Sequence, residues 1–200
     1  MLPIVRISFF GFFAVALVLR AEAALDLTAT PEEYIGEGIT YRRLVFKDDQ
    51  GRVEMELPRG WSYRGGGAAR MQLTPPGTGS AEAFIEAEAL PPSPAFDEPT
   101  TKALEQQAVT AVPQESQSVT LVQTNQGIAG PDGRESLEVV VSYKILGSIF
   151  IRSTLFVNFP ENRLRFRITA PEKDFEALSK TFHRAIRSWD SKQPPRQGRD

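Results

Sequence analysis

Apolar and polar positions alternate with period two along much of the chain. Val53, Met55 and Leu57 alternate with Arg52, Glu54 and Glu56, which predicts a half-buried strand over 52–57. A second strand over 41–47 precedes it across the turn cluster Asp48-Asp49-Gln50-Gly51, so the two form a hairpin. Strands over 69–74 and 81–90 flank the Pro75-Pro76-Gly77-Thr78-Gly79 loop. In the second of them Ala81, Ala83, Ile85, Ala87 and Ala89 share one face, small enough to admit a helix closely. Pro91-Pro92-Ser93-Pro94 then breaks the pattern. A helix over 98–112 follows, with Asp97 as its N-cap, Pro99 in its first turn, Pro113 beyond its end and an inward stripe of Leu104, Ala108, Ala111 and Val112.

A strand follows over 119–128. Gly130-Pro131-Asp132-Gly133 turns the chain into long strands over 134–146 and 149–159, with Gly147-Ser148 as a two-residue hairpin loop. The last strand covers 164–169. Phe175, Leu178, Phe182, Ile186 and Trp189, spaced by three, four, four and three, give the closing helix one continuous apolar stripe. Its start is marked either by the capping-box spacing of Thr169-Ala170-Pro171-Glu172 or, a turn later, by Asp174. The order is strands, helix, strands, helix, with hairpins instead of βαβ crossovers. That predicts an α+β fold in which helices pack on an antiparallel sheet.

The ends of the chain read differently. Arg6 precedes a thirteen-residue apolar run from Ile7 to Leu19, and Ala21-Glu22-Ala23 places small residues at a cleavage site. Residues 1–23 therefore read as a signal peptide cut after Ala23. The alternative is an uncleaved anchor starting at Leu2, although the run is shorter than the ~20 residues that span a bilayer. Residues 24–40 look like a lead-in segment, residues 41–190 like one globular domain, and residues 191–200, rich in polar side chains and proline, like a disordered tail.

Composition then removes several kinds of chemistry. The chain has no cysteine, one histidine, and 23 basic against 25 acidic side chains, for a net charge of −2. Disulfide frameworks and thiolate metal sites are excluded, and a histidine-based triad or zinc centre would have to rest on His183 alone. The charge balance argues against nucleic acid as a partner. No cofactor and no metal are expected. The absence of thiols suits an oxidising, secreted or periplasmic location.

Two stretches are similar to PsbP-like and Mog1-like domains. One is Val45-Phe46-Lys47 with Val53-Glu54-Met55-Glu56-Leu57-Pro58-Arg59-Gly60-Trp61, a strand ending in a Pro-x-x-Trp turn. The other is Leu164-Arg165-Phe166-Arg167-Ile168-Thr169-Ala170-Pro171-Glu172-Lys173-Asp174-Phe175 leading to Ser188-Trp189. The resemblance covers about 41–190. It implies an α/β/α sandwich and a binding, assembly or accessory role, and carries no catalytic residues with it.

Several local patterns have ordinary explanations. Asp48-Asp49-Gln50-Gly51 fails as a calcium loop, because position twelve is Arg59. Gly65-Gly66-Gly67, between Arg64 and Arg70, could cradle an anion but lacks the residues of a P-loop. Trp61 and Tyr63 beside it read as core and rim aromatics. Ser80 and Ser148 lack a nucleophile elbow. The carboxylate pairs Glu54/Glu56 and Glu86/Glu88 read as solvent-facing strand residues.

The arginines of the last strand stand apart. If Ile151, Leu155, Val157 and Phe159 share a face with Leu164, Phe166 and Ile168, the loop at Pro160-Glu161 must be even and Phe159 must pair with Asn162. The opposite face then sets Asn158 beside Arg163, Phe156 beside Arg165, Thr154 beside Arg167 and Arg152 beside Thr169. Arg152, Phe156, Arg163, Arg165 and Arg167 form the candidate binding set, with arginine stacking on aromatic rings around an anion. The competing account pairs these arginines with glutamates of neighbouring strands. The sequence thus suggests an exported, non-enzymatic binding or accessory protein with an unidentified protein partner. The alternatives are a carrier of a small anionic ligand and, ranked below it, a carboxylate-based hydrolase.

Overall fold

A computed structural model describes residues 25–48, 51–65, 67–91, 95–159 and 162–192. The signal-peptide segment lies outside them, as do Asp49-Gln50, Gly66, residues 92–94, Pro160-Glu161 and the tail beyond 192.

The strands and helices follow in the order β1 (Asp26–Gly36), β2 (Ile39–Asp48), β3 (Gly51–Leu57), β4 (Ser62–Gly65), β5 (Arg70–Thr74), β6 (Glu82–Ala89), α1 (Glu98–Thr110), β7 (Gln117–Ala129), β8 (Glu135–Ile145), β9 (Ser148–Asn158), β10 (Asn162–Pro171), α2 (Glu172–Arg187) and β11 (Asp190–Lys192). Every strand pairing is antiparallel. The fold is α+β, with its strands divided between two sheets: four strands in the order β1-β2-β3-β11 and seven in the order β4-β5-β6-β10-β9-β8-β7.

The main core lies on one face of the seven-stranded sheet, beneath the small sheet and α2. Leu27, Leu44, Phe46 and Met55 from the small sheet meet Met71, Leu73, Ile85, Leu164 and Phe166, with Phe182, Ile186 and Trp189 closing the space. Trp189 stacks on Phe46 and takes the edge of Phe166. A second core lies on the opposite face, where Phe96, Leu104 and Ala108 cover Leu137, Val139, Val141 and Phe156. The small residues Ala83 and Ala87 of β6 do admit a close neighbour, but it is strand β1 and not a helix.

Helix α1 starts at Glu98 as expected, and Asp97 accepts a hydrogen bond from the Thr100 amide at 2.9 Å. It ends at Thr110, two residues short of the expected limit, so that Ala111 is its exposed C-cap and not part of the inward stripe. In α2 the apolar stripe faces inward as its spacing predicts, while the capping box does not form. Thr169 is part of β10 and binds Arg152, so α2 starts at Glu172, directly after the strand. Glu172 and Asp174 then face its N-terminal dipole.

Four expectations need correction. Residues 26–36 are no lead-in but the edge strand of the small sheet, with Leu25 and Leu27 in the core. Gly65 is the end of β4, a short edge strand paired with β5. Ser191 and Lys192, expected in the tail, pair with β3 together with Asp190. The β8–β9 loop is Leu146-Gly147, one residue earlier than expected, since Ile145 pairs with Ser148 and both loop residues have positive φ, 48° and 85°. That is the type I′ form, which matches the strand twist; a Gly-first type II′ loop would need only one positive φ.

The outward face of the small sheet is held by charge. Arg52 lies 2.5 Å from Glu32 and 2.6 Å from Glu54, and Arg43 lies 2.7 Å from Glu54 and 3.2 Å from Glu32. This ring of four side chains lies on the same face as Val45, which is buried there. Beyond the pairing of Arg42 with Leu57, β3 ends, and β1 and β2 continue as a two-stranded arm turning at Glu37-Gly38.

Candidate functional site

The register of β9 and β10 is the one that side-chain parity requires. Arg163 pairs with Asn158, Arg165 with Phe156, Arg167 with Thr154 and Thr169 with Arg152, and the Phe159 amide donates to the Asn162 carbonyl at 2.8 Å. Rows of side chains therefore run across the sheet, one of them Arg64, Gln72, Phe84, Arg167 and Thr154, another Arg70, Glu86, Arg165 and Phe156.

Within those rows the arginines meet carboxylates. Arg165 lies 3.1 Å from Glu86 and 3.9 Å from Glu88, Arg167 lies 3.9 Å from Glu86, and Arg70 lies 3.4 Å from Glu86. The guanidinium groups of Arg70 and Arg167 both cover the ring of Phe84, at 4.0 and 4.8 Å. Burial pushes the Arg167 guanidinium below its ordinary value, with Glu86 acting in the opposite direction.

Of the other members of the candidate set, Phe156 and Arg152 lie under α1 and Arg163 lies beside Phe96, just before it. Phe156 is fully buried in the second core. Arg152 is buried too. Its guanidinium donates to the Thr169 hydroxyl at 2.9 Å, to the Tyr143 hydroxyl at 3.4 Å and to the Ala111 carbonyl at 2.6 Å. Ala111 is the C-cap of α1, so this cation neutralises the negative end of the helix dipole. Arg163 donates to the Asn158 side chain at 2.7 Å and lies over Phe96.

On the α2 side of the sheet, Glu138 is the hub of a polar cluster. It accepts from the Ser153 hydroxyl at 2.6 Å and from Asn125 at 3.4 Å, and the His183 Nε2 lies 3.3 Å away. Burial pushes the Glu138 carboxyl up, but the bonds from His183 and Ser153 outweigh it and hold the group below its ordinary value. The carboxylate sits between hydroxyl and imidazole, so the serine is bonded to the acid and not to the base, the reverse of a nucleophilic triad. Among the described residues, no group of three or more histidines and carboxylates is placed to hold a metal.

The structure also shows a groove made by elements far apart in sequence. Pro58-Arg59-Gly60-Trp61 closes a tight turn, with the Trp61 amide donating to the Pro58 carbonyl at 3.0 Å. Gly60 has φ 79°, the left-handed value that the third position of a type II turn requires. The turn buries Trp61 against Phe182, with ring centroids 6.1 Å apart and planes within 8°. The β1–β2 arm overhangs this turn and the exposed side of α2. A cleft of about 790 Å³ lies between them, lined by Thr40, Arg42, Arg59, Trp61, Thr181 and Arg184 among others. A second space of about 470 Å³, lined by Pro31, Tyr63 and again by Arg42 and Trp61, continues it towards β4. Inside the groove Arg42 pairs with Glu33 at 3.0 Å, while on the opposite face of the arm Glu56 accepts from the Tyr34 hydroxyl at 2.7 Å. Of these residues the sequence marks Trp61 and Tyr63, as core and rim aromatics. A groove whose walls are strand, turn and helix has no local signature, although an exposed Ile35 on the arm is a signal that a pattern search for buried strands overlooks.

No protein-family model and no curated protein matches the chain. Solved structures do. The chain is similar to cyanobacterial PsbP (CyanoP) from Synechocystis sp. PCC 6803, at 11% identity, with 82% of this chain and 94% of that one covered and a TM-score of 0.51. It also aligns with PA94, a protein of unknown function from Pseudomonas aeruginosa, at 13% identity, 82% and 99% coverage and a TM-score of 0.42. At such identities it is the path of the backbone that is shared, and the chain has the PsbP-like fold.

Proposed function

We propose that the chain is an exported, non-enzymatic accessory protein that holds a partner in the groove beneath the β1–β2 arm. The observation that carries this reading is the groove itself. Its volume is that of an ordinary ligand or side-chain site, and it combines a few polar groups with a buried aromatic floor. The signal-peptide pattern of residues 1–23 supports export. No helix among the described residues is long and apolar enough to cross a membrane. The lone histidine and Ser153 are both engaged by Glu138, which supports a structural role for each.

A second reading keeps the arginine face as a site for an anion. It is favoured by the count of charges there, Arg64, Arg70, Arg163, Arg165 and Arg167 against Glu82, Glu86 and Glu88. Cross-linking in the native envelope separates the two. A photo-reactive residue replacing Thr40 in the groove should give one defined adduct. The same residue replacing Thr74, on the arginine face, or Lys102, on the exposed side of α1, should give none. A defined adduct from Thr74 alone would move the site to the arginine face. No adduct from either, or an unprocessed chain still beginning at Met1, would contradict the proposal.

A further inference from the structure

Deepening that reading, and resting on it, we propose that the groove takes an acidic polypeptide segment carrying an apolar side chain. Three features of the lining specify this chemistry.

The first is charge. Arg59, on the Pro58–Trp61 turn, and Arg184, on α2, are exposed on the two sides of the cleft, and neither meets a carboxylate among the described residues. The acids nearby are already engaged, Glu33 by Arg42 and Glu56 by Tyr34. The groove thus offers two uncommitted guanidinium groups on a chain whose net charge is −2. Guanidinium pairs with carboxylate in a two-pronged geometry that suits aspartate and glutamate side chains.

The second is apolar surface. Ile35 is 77% exposed and lies on the same face of the arm as Glu33 and Thr40, which line the cleft. Past Arg42 this face has no third strand and no covering element among the described residues. An apolar side chain of the segment would lie between Ile35 and the floor at Leu57 and Trp61. That surface, with Glu33 beside it, disfavours a nucleic acid backbone, which would meet a carboxylate without a compensating apolar contact.

The third is shape. The two spaces share Arg42, Leu57 and Trp61 and run on from α2 to β4, whose outer edge pairs with no strand among the described residues. A continuous groove ending at such a strand edge fits an extended chain better than a compact small molecule.

The test is fluorescence anisotropy on the full-length protein. The probe is a labelled short peptide of Glu and Asp with Leu and Phe at its centre. The wild-type protein should bind it, and salt should weaken the binding. Arg59→Glu with Arg184→Glu should weaken it by about tenfold or more, while Ile35→Ser should weaken it without altering the salt dependence. All positions changed are exposed, and an unchanged far-ultraviolet spectrum checks the fold. A counterpart with Lys in place of each acid should not compete. Absence of binding by the wild type, indifference to the charge reversal, or displacement by inorganic phosphate at equal concentration would overturn this inference. A Thr40 adduct that persists in the charge-reversed protein would overturn it while leaving the groove as the partner site.

Discussion

Leu146 is fully exposed and holds a φ of 48°, a left-handed conformation that costs a leucine about 1 kcal/mol and contributes no burial in return. Asparagine tolerates that region, so Leu146→Asn should raise the urea midpoint by an amount equivalent to about 0.5–1 kcal/mol with an unchanged slope. A fall in the midpoint would mean that Leu146 has a contact that stabilises the hairpin. Glu138 shows the opposite situation, a buried charge that the fold satisfies. Because its pKa is depressed on folding, its contribution is fully present above the unfolded glutamate value of about 4.3 and is lost as the pH falls through the lower folded value. Glu138→Gln should therefore cost about 1–3 kcal/mol at pH 7, and the variant should lose less stability than the wild type on acidification below about pH 4.5. Parallel acid titrations of the two proteins would show that other carboxylates carry the acid sensitivity.

At the scale of elements, α2 joins the two sheets, and its rotation fixes the groove wall. Phe182 faces the core and Trp61, while Arg184, two residues on, faces the cleft. Phe182→Ala should cost about 3–5 kcal/mol and Arg184→Ala less than about 0.5, measured by denaturant unfolding. Similar losses would mean that α2 is rotated from its assigned position. Elements with a fully buried face were legible in the sequence. The parity of β9 and β10 set the whole pairing from Asn158 with Arg163 to Arg152 with Thr169, because a one-residue slip would turn Leu155 and Phe166 to the wrong face. Edge elements were not. In β1 only Leu27 is buried outright, and Pro31, Glu32 and Glu33 interrupt any alternation, so burial imposes no period there. Strands β4 and β11 are four and three residues long and mostly polar, so neither shows a period; β4 pairs with the next strand, whereas the pairing of β11 with β3 joins residues remote in sequence. The arginines were legible as a set. Their carboxylate partners could be named as a class, but the distances to Glu86 and Glu88 and the enclosure of Arg152 and Phe156 depend on where β6 and α1 come to rest.

At the scale of the molecule, the PsbP-like fold buries its apolar side chains in two cores and leaves one structure extended past both, the β1–β2 arm. A two-stranded ribbon without a third strand or a packed face is marginal in water. Its Tyr34–Tyr41 stack and the Arg42–Glu33 pair support it, but Ile35 stays in solvent. The central claim is that a partner covers this arm from the groove side. Amide hydrogen exchange on the full-length protein, alone and with the partner that cross-links from Thr40, tests it most directly. The account predicts new protection in both walls, residues 33–42 of the arm and 181–185 of α2, with α1 and the arginine face of β6 and β10 unchanged. Protection confined to β6 and β10, or an arm that exchanges equally fast with and without the partner, would contradict it.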